Sequence, residues 1–352
     1  MPKYRKLYEQ RDFPIFQNRM YETAESARNC QRGDIRIVQD SSTGLIFNSS
    51  FNPELMIYDV AYQNEQAISP SFRKHLDQVA TIVVDNLGTH DLIEIGCGKG
   101  FFLELLIERG CSITGFDPAY EGNNSAIKKD LFESTLSFKS KGIILRHVLE
   151  HIQNPLDFLQ QVLDINGGGL IYIEVPCFEW IIQKRAWFDI YYEHVNYFRL
   201  RDFNKIFSKV HLAGHLFGGQ YLFVVADLAS LRLPSAKPSD AIAFPHGFTL
   251  TGLSDFTGNG RSEAIWGAAS KGVIYALLRD RCGHPVNFLI DINPAKIGKF
   301  IPGTGLRVLN PKNALLQLTK ESVIYVMNPN YIDEIRQATG MRFRLITFES
   351  DQ

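Results

Sequence analysis

Three glycines at alternate positions follow an apolar run in the first third of the chain. Gly96, Gly98 and Gly100 form a G-x-G-x-G turn with Glu94 just before it, and glycine allows positive φ and close approach of a ligand to the backbone. Asp117 ends the next apolar run, where an acid can hydrogen-bond two ribose hydroxyls. The third glycine comes one residue too early for a dinucleotide fingerprint. The turn therefore predicts a site for S-adenosyl-L-methionine (SAM), which carries no pyrophosphate; an ordinary βα turn is the alternative.

Two histidines and an aspartate could complete this cofactor site. His147 and His151 follow a fourth apolar run, and ligands of open α/β sheets lie at the carboxyl ends of strands. Histidine changes charge near neutral pH, which suits proton removal from the atom that accepts a methyl group. We expect both on one face of a helical turn, with His147 at the cofactor and His151 catalytic or merely bound to nearby backbone. Asp130 is expected to reach the adenine amino group, with an ordinary surface position as the alternative.

The densest group of reactive side chains lies in the segment YYEHVNYF, residues 191–198. Glu193 and His194 are adjacent and flanked by tyrosines, so they could form a base with an orienting partner, while Tyr191 offers a hydroxyl to a sugar. A zinc helix is not expected, because Phe198 occupies the position four residues after His194. The alternative is a packed aromatic loop with a buried Glu–His hydrogen bond. No metal is predicted.

Alternating helices and strands must position these residues. Helical patterns cover residues 72–86, 100–109 and 155–163, and strand patterns cover residues 91–95, 112–116, 143–145 and 170–174. This alternation predicts a parallel, doubly wound sheet. Two further β runs, 211–217 and 221–227, are joined by Gly218-Gly219 and predict a hairpin. An α/β sheet that ends in an antiparallel hairpin is the fold that the SAM site requires.

The rest of the chain divides around this unit. Residues 1–70 hold only short β-like runs (35–38 and 45–47) and predict a small irregular segment, whereas residues 71–230 form the SAM-binding domain. Residues 231–247 contain three prolines and read as a linker.

A second αβ unit occupies residues 248–352. Its strand 264–266 leads into the loop GAASKG, and strand 287–290 ends in Asp291. The loop fails the Walker signature, because Val273 follows its last glycine. A substrate-docking or structural Rossmann-like domain is favoured over one that binds its own cofactor.

Bulk composition excludes several classes of protein. The 352 residues carry 37 basic and 38 acidic side chains, a net charge of −1, without a basic block that would indicate nucleic acid; a basic patch formed only in three dimensions stays open. No apolar run approaches the ~18 residues of a membrane span, and the amino terminus lacks a secretory h-region. Five scattered cysteines form no disulfide framework or structural zinc site. We expect a cytoplasmic protein of undefined oligomeric state.

Taken together, these residues resemble the SAM-dependent nucleotide-deoxysugar C-methyltransferases over most of the chain. The shared motifs before the second domain are Tyr58-Asp59-x-x-Tyr62, Ser69-x-Ser71, the G-x-G-x-G turn and Tyr191-x-Glu193-His194. Those of the second domain are Gly267-Ala268-x-x-Lys271-Gly272, Asp291-x-Asn293-Pro294-x-Lys296-x-Gly298 and Pro302-Gly303-Thr304.

The resemblance implies a class I SAM-dependent methyltransferase domain followed by a Rossmann-like C-terminal domain that docks the substrate. The family methylates a carbon beside a ketone on a nucleotide-linked sugar, through an enolate formed by a tyrosine or histidine base. By position, Tyr191, Glu193 and His194 match the family's active-site motif, His151 matches a histidine after the fourth strand, and Tyr62 matches an amino-terminal tyrosine.

The chain also departs from the family pattern. A four-cysteine zinc knot is reduced to Cys30, so zinc should be absent there, and a His-Gly-Gly-Ser substrate loop is replaced by Gly218-Gly219-Gln220-Tyr221. The amino-terminal segment is short, which implies a smaller lid over the substrate. The runner-up function is a sugar or small-molecule O-methyltransferase, and a SAM-binding scaffold without catalysis is a third hypothesis.

Overall fold

The computed structural model describes residues 3–56, 61–133, 139–248 and 262–347. Tyr58 and Asp59 of the predicted amino-terminal motif lie outside the described residues. Within these ranges three sheets follow one another, with three, seven and five strands. Among the described residues, no helix combines the length and the apolar character needed to cross a membrane.

The amino-terminal segment forms an antiparallel sheet instead of the irregular segment that the sequence predicted. Its elements are β1 (Tyr4–Pro14), α1 (Ala24–Arg28), β2 (Arg32–Asp40) and β3 (Ile46–Asn48), with the strand order β1-β2-β3. Strand β1 has no apolar alternation because most of its side chains are exposed and polar, so the pattern could not reveal it. Buried residues such as Ile35 and Ile37 join this sheet to the core of the next domain.

The central sheet is the predicted doubly wound sheet with a hairpin at one edge. In chain order its elements are α2 (Pro70–Leu87), β4 (Leu92–Ile95), α3 (Phe101–Glu108), β5 (Ile113–Phe116), β6 (Ile127–Lys128), β7 (Gly142–Arg146), α4 (Pro155–Asn166), β8 (Leu170–Pro176), α5 (Phe178–Gln183), α6 (Leu200–Ile206), β9 (Val210–Leu216) and β10 (Tyr221–Asp227). The strand order is β6-β5-β4-β7-β8-β10-β9; strands β4 to β8 pair in parallel and β10 is antiparallel to both its neighbours. The class I methyltransferase fold is confirmed.

Side chains of the central strands alternate between two buried faces, as expected for a sheet covered on both sides. Leu92, Ile144 and Tyr172 share a core with α2 and α3, whereas Ile93 and Ile143 face the opposite core. The same alternation puts the polar side chains at the carboxyl ends of β4, β7 and β8 on the α2–α3 side.

The carboxy-terminal sheet is parallel throughout, which confirms a Rossmann-like second domain. Its elements are β11 (Glu263–Trp266), α7 (Ser270–Arg281), β12 (Phe288–Ile290), β13 (Val308–Leu309), α8 (Pro311–Leu315), β14 (Val323–Val326), α9 (Ile332–Thr339) and β15 (Arg344–Thr347), with the order β13-β12-β11-β14-β15. Gly272 is required where α7 starts, because an added Cβ would lie 1.9 Å from the carbonyl oxygen of Gly267.

Direct contacts hold the three sheets together around one region. Phe300 and Tyr21 exchange backbone hydrogen bonds of 2.8 and 3.0 Å between the last and the first sheet. Asn48 donates to the carbonyl of Val195 at 2.7 Å, which fixes the YYEHVNYF segment against β3. The segment with the densest group of reactive side chains therefore lies where all three parts meet.

Candidate active site

The glycine turn between β4 and α3 has the backbone that its sequence predicts. Gly96, Gly98 and Gly100 have φ of 73°, 56° and 83°. A Cβ on Gly96 or Gly100 would lie 2.4 Å from Val148 Cγ2 or 2.5 Å from Ile127 Cδ1, whereas one on Gly98 would meet nothing within 4 Å. The outer glycines therefore allow close packing, and the middle glycine faces open space that a ligand can approach.

Asp117 supports this turn from the tip of β5. Its Oδ2 accepts a hydrogen bond from Gly98 N at 2.7 Å, and its Oδ1 accepts one from Ala119 N at 2.9 Å. Burial raises the pKa of Asp117. A carboxylate has about four acceptor positions, so two remain for further donors, and the predicted ribose contact stays a prediction.

Glu94 supplies a second acid beside the turn. It is 2% exposed, and within the described part of the chain its Oε2 has no hydrogen-bond partner. Burial raises the pKa of Glu94 to about 7, against the opposing charge of Arg146. A buried carboxylate oxygen without a partner suits a cationic ligand group. Together with the open face of Gly98 and the spare acceptors of Asp117, these residues fit SAM.

The other predicted cofactor residues lie in different surroundings. Asp130 is exposed, two residues after β6 at the edge of the sheet. His147 directly follows β7 with φ of 53°, and its Nδ1 lies 3.2 Å from Glu150 Oε1. Burial disfavours the charged form, but Glu150 and Glu174 outweigh it and raise the pKa of His147 to about 9. His147 is therefore an imidazolium held between carboxylates.

The two histidines do not share a helical face as expected. His147 lies outside any helix, and only one short turn, Leu149–His151, follows it. The His147 ring packs on Tyr221 with centroids 4.5 Å apart, whereas the His151 ring packs on His194 at 4.9 Å. His151 Nδ1 is 2.9 Å from the carbonyl oxygen of Glu193; because a carbonyl only accepts, Nδ1 carries the proton.

Tyr191 and His194 form the central pair of the site. Tyr191 Oη lies 2.8 Å from His194 Nε2, and both side chains are buried. Burial, with the nearby charges of His151, His147 and Lys271, holds the pKa of His194 well below its usual range. Burial also raises the pKa of Tyr191 well above its usual range. At neutral pH the pair is a neutral imidazole beside a protonated phenol, which can accept a proton.

Glu193 does not orient His194, contrary to the expected pairing. Its carboxylate accepts hydrogen bonds from Gln17 N at 2.7 Å and from Tyr62 Oη at 2.6 Å. The adjacent side chains of Glu193 and His194 therefore have different partners. Tyr191, and not Glu193, hydrogen-bonds to the imidazole of His194. Tyr62, expected to be catalytic, lies in the site as a hydrogen-bond donor to Glu193.

Two residues that the sequence did not assign close the site from the second domain. Asn18 Nδ2 donates to Ser270 Oγ at 2.9 Å, and the Ser270 side chain hydrogen-bonds to Tyr191. Lys271 Nζ lies 2.8 Å from Asp189 Oδ2 and 4.9 Å from the centre of the Trp180 ring. The loop GAASKG is therefore a wall of the site. The sequence shows the lysine and serine of this loop, but it gives no signal for their partners Asp189 and Asn18.

Among the described residues, two groups of side chains could hold a metal ion, and one of them lies in this site. Glu150, His151 and His194 each offer a donor atom within 4.8 Å of the others. These donors come from two separate segments, so the spacing rule for a single zinc helix could not detect them. Two of these donors, His194 and His151, are the imidazole of the central pair and its neighbour. A histidine nitrogen that binds a metal ion cannot act as a free base at the same time.

Alanine at position 98 tests the open face of the turn. We expect Gly98→Ala to weaken SAM binding at least about tenfold, or ~1.4 kcal/mol, because its methyl group enters the space that a ligand occupies. Isothermal titration calorimetry measures the affinity. Gly167→Ala is the matched control, because Gly167 also has positive φ (76°) and open space but lies at the far end of the sheet. Equal affinities for the two variants would contradict this placement.

The raised pKa of Glu94 predicts a pH dependence of binding. The carboxylate is ionised above its pKa of about 7, so affinity for a cationic ligand group is full above this value and is lost as pH falls through it. We expect SAM to bind about tenfold more weakly at about pH 6 than at about pH 8. Titrations at both pH values check this, and Glu94→Gln should remove most of the difference. A wild-type affinity independent of pH would contradict the role of Glu94.

Comparison with known proteins agrees with this geometry. Residues 63–214 match a family described as a methyltransferase domain, and residues 248–344 match the C-methyltransferase C-terminal domain. The C-methyltransferase NovU of Streptomyces niveus is 23% identical over 327 residues, covering 78% of this chain and 76% of that protein.

Solved structures that match nearly half of this chain include two methyltransferases with bound S-adenosylhomocysteine (SAH). Magnesium protoporphyrin IX methyltransferase of Synechocystis PCC 6803 is 15% identical, with a TM-score of 0.37 over 47% of this chain and 90% of that one. The N-methyltransferase NodS of Bradyrhizobium japonicum WM9 is 14% identical, with a TM-score of 0.35 over 45% and 88%. On the two matched domains and the cofactor site, the chain is a SAM-dependent methyltransferase in which a methyltransferase domain is followed by a C-methyltransferase C-terminal domain.

Proposed function

We propose that the enzyme methylates a carbon beside the ketone of a nucleotide-activated sugar. The observation that carries this proposal is a pair of neighbouring imidazoles, His194 and His151, which pack edge to face with ring centroids 4.9 Å apart. Methylation of a hydroxyl needs one base, whereas methylation of carbon needs a base for the α-proton and a donor for the enolate oxygen. Bound SAM supplies an electrophilic methyl group. Glu94, the glycine turn and Asp117 would hold it.

The central pair is suited to remove the α-proton. Tyr191 Oη takes the proton from the substrate carbon as its own proton passes to Nε2 of His194, 2.8 Å away. The transfers occur together, because burial makes a free phenolate at Tyr191 unfavourable. The hydrogen bond from Ser270 keeps the phenol oriented toward the imidazole.

We infer that His151 stabilises the enolate oxygen. The carbonyl of Glu193 holds its Nδ1–H at 2.9 Å and thereby fixes the ring. When the ring carries both protons, Nε2–H donates to the oxygen on which negative charge develops. Glu193 is bound in turn by Gln17 and Tyr62, so residues of the amino-terminal segment support the position of this donor.

The second domain supports a substrate that bears a nucleotide. Asp291, at the tip of β12, accepts a hydrogen bond from Ala268 N at 2.8 Å. Asp117 and Gly98 show the same arrangement in the SAM domain, and an acid at such a tip can bind ribose. Lys296 Nζ lies 3.6 Å from Asp291 Oδ2 and offers a cation for phosphate. The relative NovU is itself named a C-methyltransferase.

The test uses nucleoside diphosphate keto sugars with SAM whose methyl group carries ¹³C. We expect exchange of the α-proton in deuterated water without SAM, and a product whose ¹³C shift is that of a methyl group on carbon. A shift typical of a methyl ether would establish an O-methyltransferase instead. If no keto sugar yields SAH above background, the protein binds SAM but does not have this activity.

Paired tyrosine variants separate the chemistry from the packing. Tyr191→Phe should lose the exchange, because it removes the hydroxyl beside His194. Tyr192→Phe is the control: Tyr192 Oη accepts a hydrogen bond from Asn52 N at 2.9 Å, away from the imidazoles. Exchange at the wild-type rate in Tyr191→Phe would remove Tyr191 from the mechanism.

A further inference from the structure

The second group of metal-ligating side chains lies at the hairpin edge of the central sheet and shares no residue with the candidate active site. Cys177 Sγ, a carboxylate oxygen of Glu179 and a ring nitrogen of His215 all lie within 4.8 Å of one another. Cys177 directly follows β8, Glu179 lies in the first turn of α5, and His215 lies on β9. Three elements therefore bring one sulfur, one oxygen and one nitrogen donor together.

The strand register places Cys177 and His215 on the same face of the sheet. Val175 lies opposite Leu222, and Leu222 lies opposite His215. Directly opposed side chains of antiparallel strands share a face. Cys177 comes two residues after Val175 in extended backbone, with φ of −88° and ψ of 111°, and its N–H continues the ladder by donating to the carbonyl of Gln220 at 2.9 Å. Because side chains two residues apart on a strand share a face, the thiol lies on the face of His215.

The three donors differ in exposure, which gives an ion a closed side and an open side. Cys177 is 1% exposed, and its sulfur accepts hydrogen bonds from backbone N–H groups at the start of α5. His215 is exposed and Glu179 is partly exposed, so an ion can enter from solvent. Glu179 Oε2 accepts from Leu200 N at 3.3 Å, and its Oε1 lies 3.4 Å from Arg201 Nε. A carboxylate has about four acceptor positions, so Glu179 can bind a metal as well.

We propose that these three side chains bind a zinc ion, with water as its fourth ligand. A thiolate, an imidazole and a carboxylate are the protein ligands that Zn²⁺ takes in tetrahedral sites, whereas Mg²⁺ and Ca²⁺ take oxygen ligands. Burial raises the pKa of the Cys177 thiol to about 11, so the thiol carries a proton at neutral pH and releases it to solvent as the Zn–S bond forms. The ion joins edge strand β9 to the start of α5. It takes no part in the reaction, because none of its ligands belongs to the candidate active site.

Cobalt tests the sulfur ligand directly, because Co²⁺ bound to a thiolate gives an intense near-ultraviolet band that nitrogen and oxygen ligands do not give. The whole chain is first dialysed against EDTA and then titrated with Co²⁺. We expect the thiolate band to saturate at one ion per chain, and to be lost when Zn²⁺ displaces the Co²⁺. The metal-ligating group in the candidate active site, Glu150, His151 and His194, contains no sulfur. The band therefore reports on the site at Cys177 alone.

Single variants assign the band to its ligands. Cys177→Ser should abolish the band. His215→Gln should keep the thiolate but weaken Co²⁺ binding at least about 100-fold, because loss of even a hydrogen-bond partner of a ligand costs about 10- to 100-fold. Cys282→Ser and His211→Gln are the matched controls, since Cys282 is an exposed cysteine and His211 is an exposed histidine on the same strand as His215. Both controls should bind Co²⁺ with the affinity of the wild type.

The variant at His215 keeps the proposal testable even if loss of the buried Cys177 thiol prevents folding. His215 is exposed on an edge strand, so His215→Gln should fold as the wild type does, which circular dichroism checks. Wild-type affinity for Co²⁺ in His215→Gln would overturn the proposal, and so would a thiolate band that survives in folded Cys177→Ser. A wild-type protein that gives no thiolate band at a large excess of Co²⁺ would overturn it as well.

Discussion

The variant His194→Gln is expected to lose both α-proton exchange and methyl transfer by about 10²- to 10⁴-fold, the usual contribution of a general base. Glutamine has a similar size and keeps a polar group near Tyr191, but it cannot accept the proton. Affinity for SAH should be unchanged, because the contacts of His194 are with Tyr191 and His151. Proton exchange measured by NMR and SAH binding measured by calorimetry separate these two effects.

The pH dependence of the rate and a matched histidine variant serve as controls for this prediction. Because the pKa of His194 lies well below its usual range, the base stays unprotonated at mildly acidic pH. Its contribution to the rate should be lost only as pH falls through that lowered pKa. His215→Gln, an exposed histidine on β9, should leave the rate unchanged.

Removal of metal ions tests whether the histidines act as free side chains or as ligands of a catalytic metal. Dialysis against EDTA should not lower the rate if the histidines act as free side chains. Wild-type exchange in His194→Gln would show that another group removes the proton. A rate lost on dialysis and restored by zinc would indicate a catalytic metal, for which Glu150, His151 and His194 are the donors in this site.

The cofactor half of the site could be predicted because its residues are close in sequence. The glycine turn and Glu94 lie within seven consecutive residues, and Asp117 ends the following strand. Strands such as β4 and β5 are buried on both faces, so continuous apolar runs marked them to within one residue. Local sequence was enough, since each feature depends on backbone conformation or on a short apolar run.

The catalytic half depends on contacts between distant segments. Glu193 is bound by Gln17, 176 residues away, and Ser270 is bound by Asn18, 252 residues away. Composition and spacing carry no signal for such pairs, so the expected Glu193–His194 pairing was wrong. The first strand was missed for a related reason, because its polar, exposed residues gain order from pairing with β2 and not from their own pattern.

A second large effect is expected at Arg199, which ties three segments together. Its guanidinium donates to Asp202 at 2.8 and 3.0 Å, to the carbonyl of Asp240 at 2.8 Å and to the carbonyl of Gly44 at 2.9 Å. Arg199 is 2% exposed and Asp202 is fully buried. We expect Arg199→Met to lower the free energy of unfolding by about 3–5 kcal/mol, because it leaves a buried carboxylate without its partner. Chemical denaturation followed by circular dichroism measures the change.

Arg201→Met provides the control for this prediction, two residues along the same helix. The Arg201–Glu179 pair is largely solvated, with side chains 51% and 36% exposed, so its loss should cost at most about 1 kcal/mol. A similar loss of free energy of unfolding in both variants would mean that the buried Arg199 pair contributes no more to stability than the exposed Arg201 pair. A large difference would show that the linker, held through the carbonyl of Asp240, is part of the folded core. Through its bond to the carbonyl of Gly44, the same guanidinium also holds the amino-terminal segment. This segment supplies Gln17 and Tyr62, the donors to Glu193, so loss of Arg199 would affect the site as well as the stability of the chain.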